Sequence, residues 1–381
     1  MKITNQHIAI KKLIELRRDL HQNPEVSGQE VETARRIAGF FKQIGYDHMV
    51  TGLGGTGVAV IFEGAESGPT SLFRCELDGL PIQEEGSREY VSQKPGVSHV
   101  CGHDGHMAII AGLGMLMSNH RPKRGRVILL FQPAEETGEG ARAVLDDVEF
   151  KSLIPDFAFA LHNLPGFPLH QILLKKGTFA AASVGMKILL KGRNAHSAHP
   201  EAGNSPALAL AEIIDLLEKL PQQVEDFTLV TVVHAKLGEI NFGTTPGEAL
   251  ICATLRAFSN DVRDKLVKLA QQKAEVIAKK YRLGVTFSYT ESFAASHNHH
   301  EAFDLGLKAS ENLDFPVRII DQPFRWSEDF GLFSDHTKTL LFGLGSGEQQ
   351  PQLHEPHFDF PDELIQTGIR MFSSIVDELH A

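Results

Sequence analysis

The chain has 381 residues, 42% of them hydrophobic and 22% charged, and a formal net charge of −11. That length leaves room for two domains with sizeable cores, and the composition is that of a globular protein. The acidic balance argues against a nucleic-acid partner, which needs a basic face.

No unbroken apolar run is long enough to span a bilayer, and the opening residues alternate charged and apolar side chains as an amphipathic helix does. Neither a membrane span nor a signal peptide is therefore expected. The three cysteines, Cys75, Cys101 and Cys252, are too few for a disulfide framework and predict a reducing, cytoplasmic setting. Histidine is the unusual count, at 19, and many histidines neighbour other potential ligands.

In chain order, residues 7–22 and 29–44 read as helices joined by Asn23-Pro24. Strand-like runs follow at 57–63, 70–77, 126–132 and 156–161, with a buried helix over 105–118. Apolar strands alternating with helices predict an α/β unit, a mostly parallel, doubly wound sheet covered on both faces. Ligands bind such sheets at the carboxyl ends of the strands, where Cys75, Gln132 and His162 fall.

Residues 183–292 have another order: strand 183–191, helix 205–220, strands 226–237 and 248–257, helix 260–282, strand 284–291. This β-α-β-β-α-β series is the ferredoxin-like α+β pattern. Helices near 300–312 and 361–380 then return to the first unit. The expected domains are a catalytic one over 1–182 and 293–381 and an inserted one over 183–292, two lobes with a cleft between them.

The strongest local signal is SHVCGHDGHMA at 98–108. One residue separates Cys101 from His103, so in an extended segment the two point the same way, and thiolate with imidazole suits zinc and similar ions. The bland alternative is a buried cysteine and surface histidines at a helix start. Asp104 reads equally as a partner orienting His103 or as a helix cap, and His106 as structural or as a support behind the ligands rather than a ligand.

In FQPAEETGEGA (131–141), adjacent Glu135 and Glu136 diverge, so one can hold metal while the other takes a proton from water. An acidic surface loop is the ordinary meaning of such a pair. His162 in ALHNLPG ends an apolar strand, and His354 and His357 lie in QLHEPHFDFPDE (352–363) before a helix; each is weak alone.

These stretches, with FRCELDGLPI (73–82), GRNAHSAHP (192–200) and SEDFGLF (327–333), run in order from about residue 12 to 378. They resemble the aminoacylase/hippurate hydrolase/auxin-conjugate hydrolase branch of the glutamate carboxypeptidase-type (M20 peptidase) metallohydrolases. The resemblance implies a catalytic domain with an inserted ferredoxin-like lid. It implies a site for two divalent ions, zinc or manganese with cobalt or nickel as options, held by Cys101, His103, Glu136, His162 and His354, with Cys101 bridging.

By the same resemblance Glu135 is the general base, and His196 is the lid histidine that polarises the scissile carbonyl, supplied in the family across a homodimer formed through the lid. Asp78 orients a ligand, and Arg256 lies near the substrate carboxylate. A thiol in this role is expected to be partly exposed, of low pKa and prone to oxidation.

Glu76 stands where the family usually has Asp, and Gly243 where many relatives have Asn, with Asn241 placed to compensate. The segment 291–303 also departs from the pattern. The implied activity is hydrolysis of the amide bond of N-acyl amino acids by metal-activated water. The alternatives are a dipeptidase or aminobenzoyl-glutamate-type carboxypeptidase, and a catalytically silent binding homologue. A purely structural metal is disfavoured, because structural zinc sites are closed and Cys-rich.

Overall fold

The computed structural model describes residues 9–381, so the first two residues of the expected helix 7–22 lie outside them. Contacts divide the chain into two compact units. One runs to Phe179 and takes in Ser296–Pro323 and Asp329–Ala381; the other comprises Ala180–Ala295 and Phe324–Glu328.

The first unit is built on an eight-stranded sheet. Its centre is parallel: Arg124–Gln132 lies beside Glu66–Glu76, then Phe157–Pro165, then Lys338–Gly347. The hairpin His48–Leu53/Gly57–Glu63 joins one side antiparallel, and Ile172–Leu174 joins the other. The central strands are buried on both faces, which is why they read as unbroken apolar runs.

The helix His103–Asn119 is apolar all round and almost wholly buried. It shares a core with Ile10–Gln22, Val31–Ile44 and Leu364–His380 through residues such as Leu13, Phe41, Ile109, Leu113, Ile369 and Phe372.

The strand expected to end at His162 continues to Pro165, with His162 opposite Gly343 in full register. The apolar run stops at Leu161, but the ladder is made by backbone groups, so the polar residues His162 and Asn163 carry on inside it.

The second unit is a four-stranded antiparallel sheet in the order Thr228–Leu237, Glu248–Ala257, Ala182–Lys191, Gly284–Phe293. The helices Ala207–Lys219 and Asn260–Lys280 cover it, burying Ile213, Leu217, Leu266 and Ala270 against Ile188, Leu190, Ile251 and Leu255. In the strand Glu248–Ala257 buried and half-buried residues alternate, as expected for a sheet covered on one face. Residues 324–328, expected with the other part of the chain, pack with this unit. Ala181 N donates to the carbonyls of Phe324 and Trp326 at 3.1 and 3.0 Å.

Candidate metal centre

Three loops, the start of the helix His103–Asn119 and one strand of the first unit bring the candidate ligands together. Cys101 and His103 do not lie in an extended segment. They flank Gly102, whose φ of 99° is left-handed and which caps the helix His103–Asn119. A side chain at Gly102 would strike Asn163, its Cβ 2.5 Å from Oδ1. The turn needs glycine both for its φ and for this close approach, and it aims the thiol and the imidazole into the same space.

Cys101 Sγ lies 3.5 Å from His162 Nε2. Potential ligand atoms of Cys101, His103 and His162 fall within 4.8 Å of one another, as do those of Cys101, Glu136 and His354, and those of His103, Glu135 and Glu136. The first two sets share Cys101.

The ring orientations suit cation binding. His103 Nδ1 donates to the Asp78 carbonyl at 2.8 Å. That leaves Nε2 buried without a hydrogen-bond partner, facing Glu135 and Glu136, each at 3.9 Å. His162 Nδ1 donates to the Asn163 carbonyl at 2.9 Å, which turns Nε2 toward Cys101. A histidine whose Nδ1–H is held by a carbonyl presents an Nε2 lone pair. His354 Nε2 lies 3.8 Å from Glu136 Oε1. An orphaned buried nitrogen facing two carboxylates beside a thiol is a donor set that fits zinc and its neighbours.

His106 belongs to a further group with Glu76 and His103. Both of its nitrogens are occupied, Nδ1 by Glu76 at 2.7 Å and Nε2 by Asn163 Oδ1 at 2.6 Å. Glu76 also pairs with the buried Arg74. Burial opposes the Glu76 charge, but Arg74, His106 and His103 hold the carboxyl well below its usual range.

Asp78 ties two elements together: its carbonyl and carboxylate face His103, while Oδ2 accepts from Glu136 N at 3.0 Å and Ser27 Oγ at 2.7 Å. Glu30, which the sequence did not single out, braces the turn carrying the two glutamates. Its Oε1 accepts from Ala134 N and its Oε2 from Thr56 Oγ1, both at 2.8 Å. Ala134 itself has φ 49°, a left-handed turn for a residue with a side chain. Glu135 is buried, and its Oε1 accepts from Asp329 N at 3.4 Å.

Two expectations are corrected. Asp104 neither orients His103 nor caps the helix. Gly102 is the cap, and Asp104 Oδ2 is held by Arg17 Nε at 2.6 Å and His21 Nδ1 at 2.8 Å. Cys101 is not a partly exposed, low-pKa thiol. It is buried, and burial together with Glu136 pushes it well above the usual thiol range against the opposing pull of His103.

The remaining candidates belong to the second unit. His196 is exposed in a short strand, opposite Thr244. Its Nδ1 accepts from Ala198 N at 3.0 Å, so the proton sits on Nε2. Asn241 Oδ1 is turned into its own loop, accepting from Gly243 N at 2.9 Å. Among the described residues Arg256, half-buried, reaches only neutral acceptors, the Arg325 carbonyl at 3.1 Å and Ser327 Oγ at 2.9 Å. Burial lowers its pKa from the ordinary value.

The chain has counterparts among known proteins. The chain is 28% identical to the N-acetylcysteine deacetylase of Bacillus subtilis (strain 168), over 96% of each chain. It is 30% identical to the N-acetyldiaminopimelate deacetylase of Priestia megaterium, over 92% of this chain and 94% of the relative. It matches the Bacillus subtilis YXEP protein, described as a dinuclear metal binding peptidase from the M20 family, with a TM-score of 0.82 and 28% identity over 97% of both chains. The model of peptidase family M20/M25/M40 matches residues 72–378, and the chain belongs to that family.

Proposed function

We propose that this protein hydrolyses the amide bond of N-acyl amino acids, with two divalent ions held by Cys101, His103, Glu136, His162 and His354. The observation that carries the reading is the pair of three-residue donor sets sharing Cys101, with the Glu135 carboxylate beside them. The relatives named as deacetylases of N-acetylated amino acids point to small acyl groups.

When bound, such ions lower the pKa of water and polarise a carbonyl. Glu135 accepts the proton of the attacking water and passes it to the leaving nitrogen as the C–N bond breaks, so the products are a carboxylate and a free amine. His196 donates its Nε2–H where negative charge develops on the carbonyl oxygen. Arg256, desolvated and without an acidic partner, receives the substrate carboxylate in a bidentate fork. Asp78 holds His103 and the Glu136 backbone in place. Asn241, its carbonyl oxygen spent on Gly243, meets substrate through its amide N–H groups.

The donor set favours zinc or manganese, with cobalt and nickel as workable substitutes. All three cysteines are free, which supports a cytoplasmic setting, and no helix among the described residues is long and apolar enough to cross a membrane. Ile240 and Phe242, each 96% exposed on one loop of the second unit, support a homodimer formed through that unit.

The decisive experiment is metal analysis of the purified protein followed by hydrolysis assays on N-acyl amino acids and dipeptides. Two ions per chain and chelator-sensitive release of the acyl acid are expected. A metal-loaded protein inert toward every N-acyl amino acid, or preferring dipeptides, overturns the proposal. A mass in solution of one chain removes the dimer.

A further inference from the structure

His354 is in an unusual conformation. Its φ of 68° places a residue with a side chain in the left-handed region, which persists only where the surroundings impose it. At its own position the backbone is held by one bond, His354 N to Val100 O at 2.9 Å. The imidazole itself is half exposed. What fixes the loop lies further along. Pro356 O accepts from Glu85 N at 2.8 Å, and His357 O accepts from Arg88 at 2.9 Å.

The main anchor is Asp359. Its Oδ2 takes Tyr90 Oη at 2.9 Å and Arg88 Nε at 3.1 Å, and its Oδ1 takes Arg17. Arg17 is fully buried, and its Nε continues to Asp104, the residue after His103. One guanidinium therefore ties the turn that presents His103 to the loop that presents His354. The next residue, Phe360, is buried and stands edge-on to His106, with ring centroids 6.0 Å apart.

We propose that the Asp359 cluster, formed with Arg17, Arg88 and Tyr90, is a positioning latch that holds His354 in its left-handed conformation and so sets the affinity of the ion this histidine holds. The inference rests on the two-ion reading above. None of the four side chains is among the five candidate ligands; they act through the loop. Burial opposes charge on Arg17, but Asp104, Asp359 and Asp362 raise its pKa above the ordinary value, so it stands in the cluster as a cation.

The test uses Asp359→Asn and the milder Tyr90→Phe, which removes one hydroxyl and leaves the ion pairs. Zn2+ is titrated into metal-stripped enzyme against a chromophoric chelator, with activity followed as Zn2+ is raised. Both variants are expected to hold one ion as tightly as wild type and to bind the other roughly 10- to 100-fold more weakly. The activity lost at limiting Zn2+ returns at excess Zn2+, with kcat near the wild-type value.

Two tight ions in both variants overturn the latch. So does equal weakening of both ions, or a loss of activity that Zn2+ does not restore, since each is what general destabilisation produces. A wild-type enzyme holding fewer than two ions instead sinks the reading beneath it, and is scored before any variant is made.

Discussion

The ion cluster behind the His103 turn makes a sharp prediction about pH. His21 is fully buried, between Asp104 Oδ2 at 2.8 Å and Glu84 Oε1 at 3.1 Å. Burial works against its charge, but Asp104 and Glu84 overcome it and raise the imidazole from 6.5 to about 9. A raised pKa means that folding favours the protonated form. Its contribution is complete below pH 6.5, where folded and unfolded chains both carry the proton. It drains away as pH climbs toward 9, because the unfolded chain releases its proton first.

The span of about 2.5 units, at 1.36 kcal/mol per unit, sets the loss at about 3 kcal/mol. The assay is urea unfolding of metal-stripped protein at pH 6 and pH 9.5 at fixed ionic strength, for wild type and for His21→Gln. Titrations common to both proteins cancel in the difference. Wild type should lose about 3 kcal/mol more than the variant across that range. Parallel pH profiles would refute the assignment of a charged, buried His21.

Four other outcomes follow from the site and its packing. Glu135→Gln should still take up two ions yet lose about 10²- to 10⁴-fold in kcat, the ordinary worth of a general base; His196→Ala should lower kcat with KM little changed, both read by single-substrate kinetics with metal analysis alongside. Arg256→Ala should cost about 1.5–3 kcal/mol of transition-state binding, roughly 10- to 100-fold in kcat/KM. That loss should appear on an N-acyl amino acid and vanish on its carboxamide, which offers no charge to pair. Phe360, 1% exposed, fills the space beside Gly105, where a Cβ would sit 2.3 Å from the phenyl ring. Phe360→Ala should therefore cost about 3–5 kcal/mol in urea unfolding, as emptied aromatic sites do.

How far the sequence could be read depends on the range over which each feature is encoded. The helix expected at 29–44 is found at Val31–Ile44, and the run 57–63 is the strand Gly57–Glu63, because periodicity and apolar runs are local. The strand through His162 shows where a local pattern misleads. Residues 162 and 163 are polar, so the apolar run ends, yet the ladder to Lys338–Gly347 continues past them. Cys101-Gly102-His103 is subtler still. The one-residue spacing identifies the pair, but the conformation is a left-handed turn at Gly102, and its φ together with the closeness of Asn163 makes glycine necessary there.

Asp104 shows what no local pattern supplies. Its neighbours in sequence offered a cap or a bond to His103. Its partners in the fold are Arg17 and His21, more than eighty residues earlier. A trace of this was visible: Leu13, Arg17, Leu20 and His21 share one buried face of the helix Ile10–Gln22, so two basic residues sit on an otherwise apolar stripe. Buried charges need partners, and a basic residue on such a stripe therefore implies a carboxylate brought to it from elsewhere. Here those carboxylates are Asp104, one residue after His103, and Asp359, five after His354. The demand of one buried arginine for counter-charges thus becomes a constraint on where two candidate ligands stand.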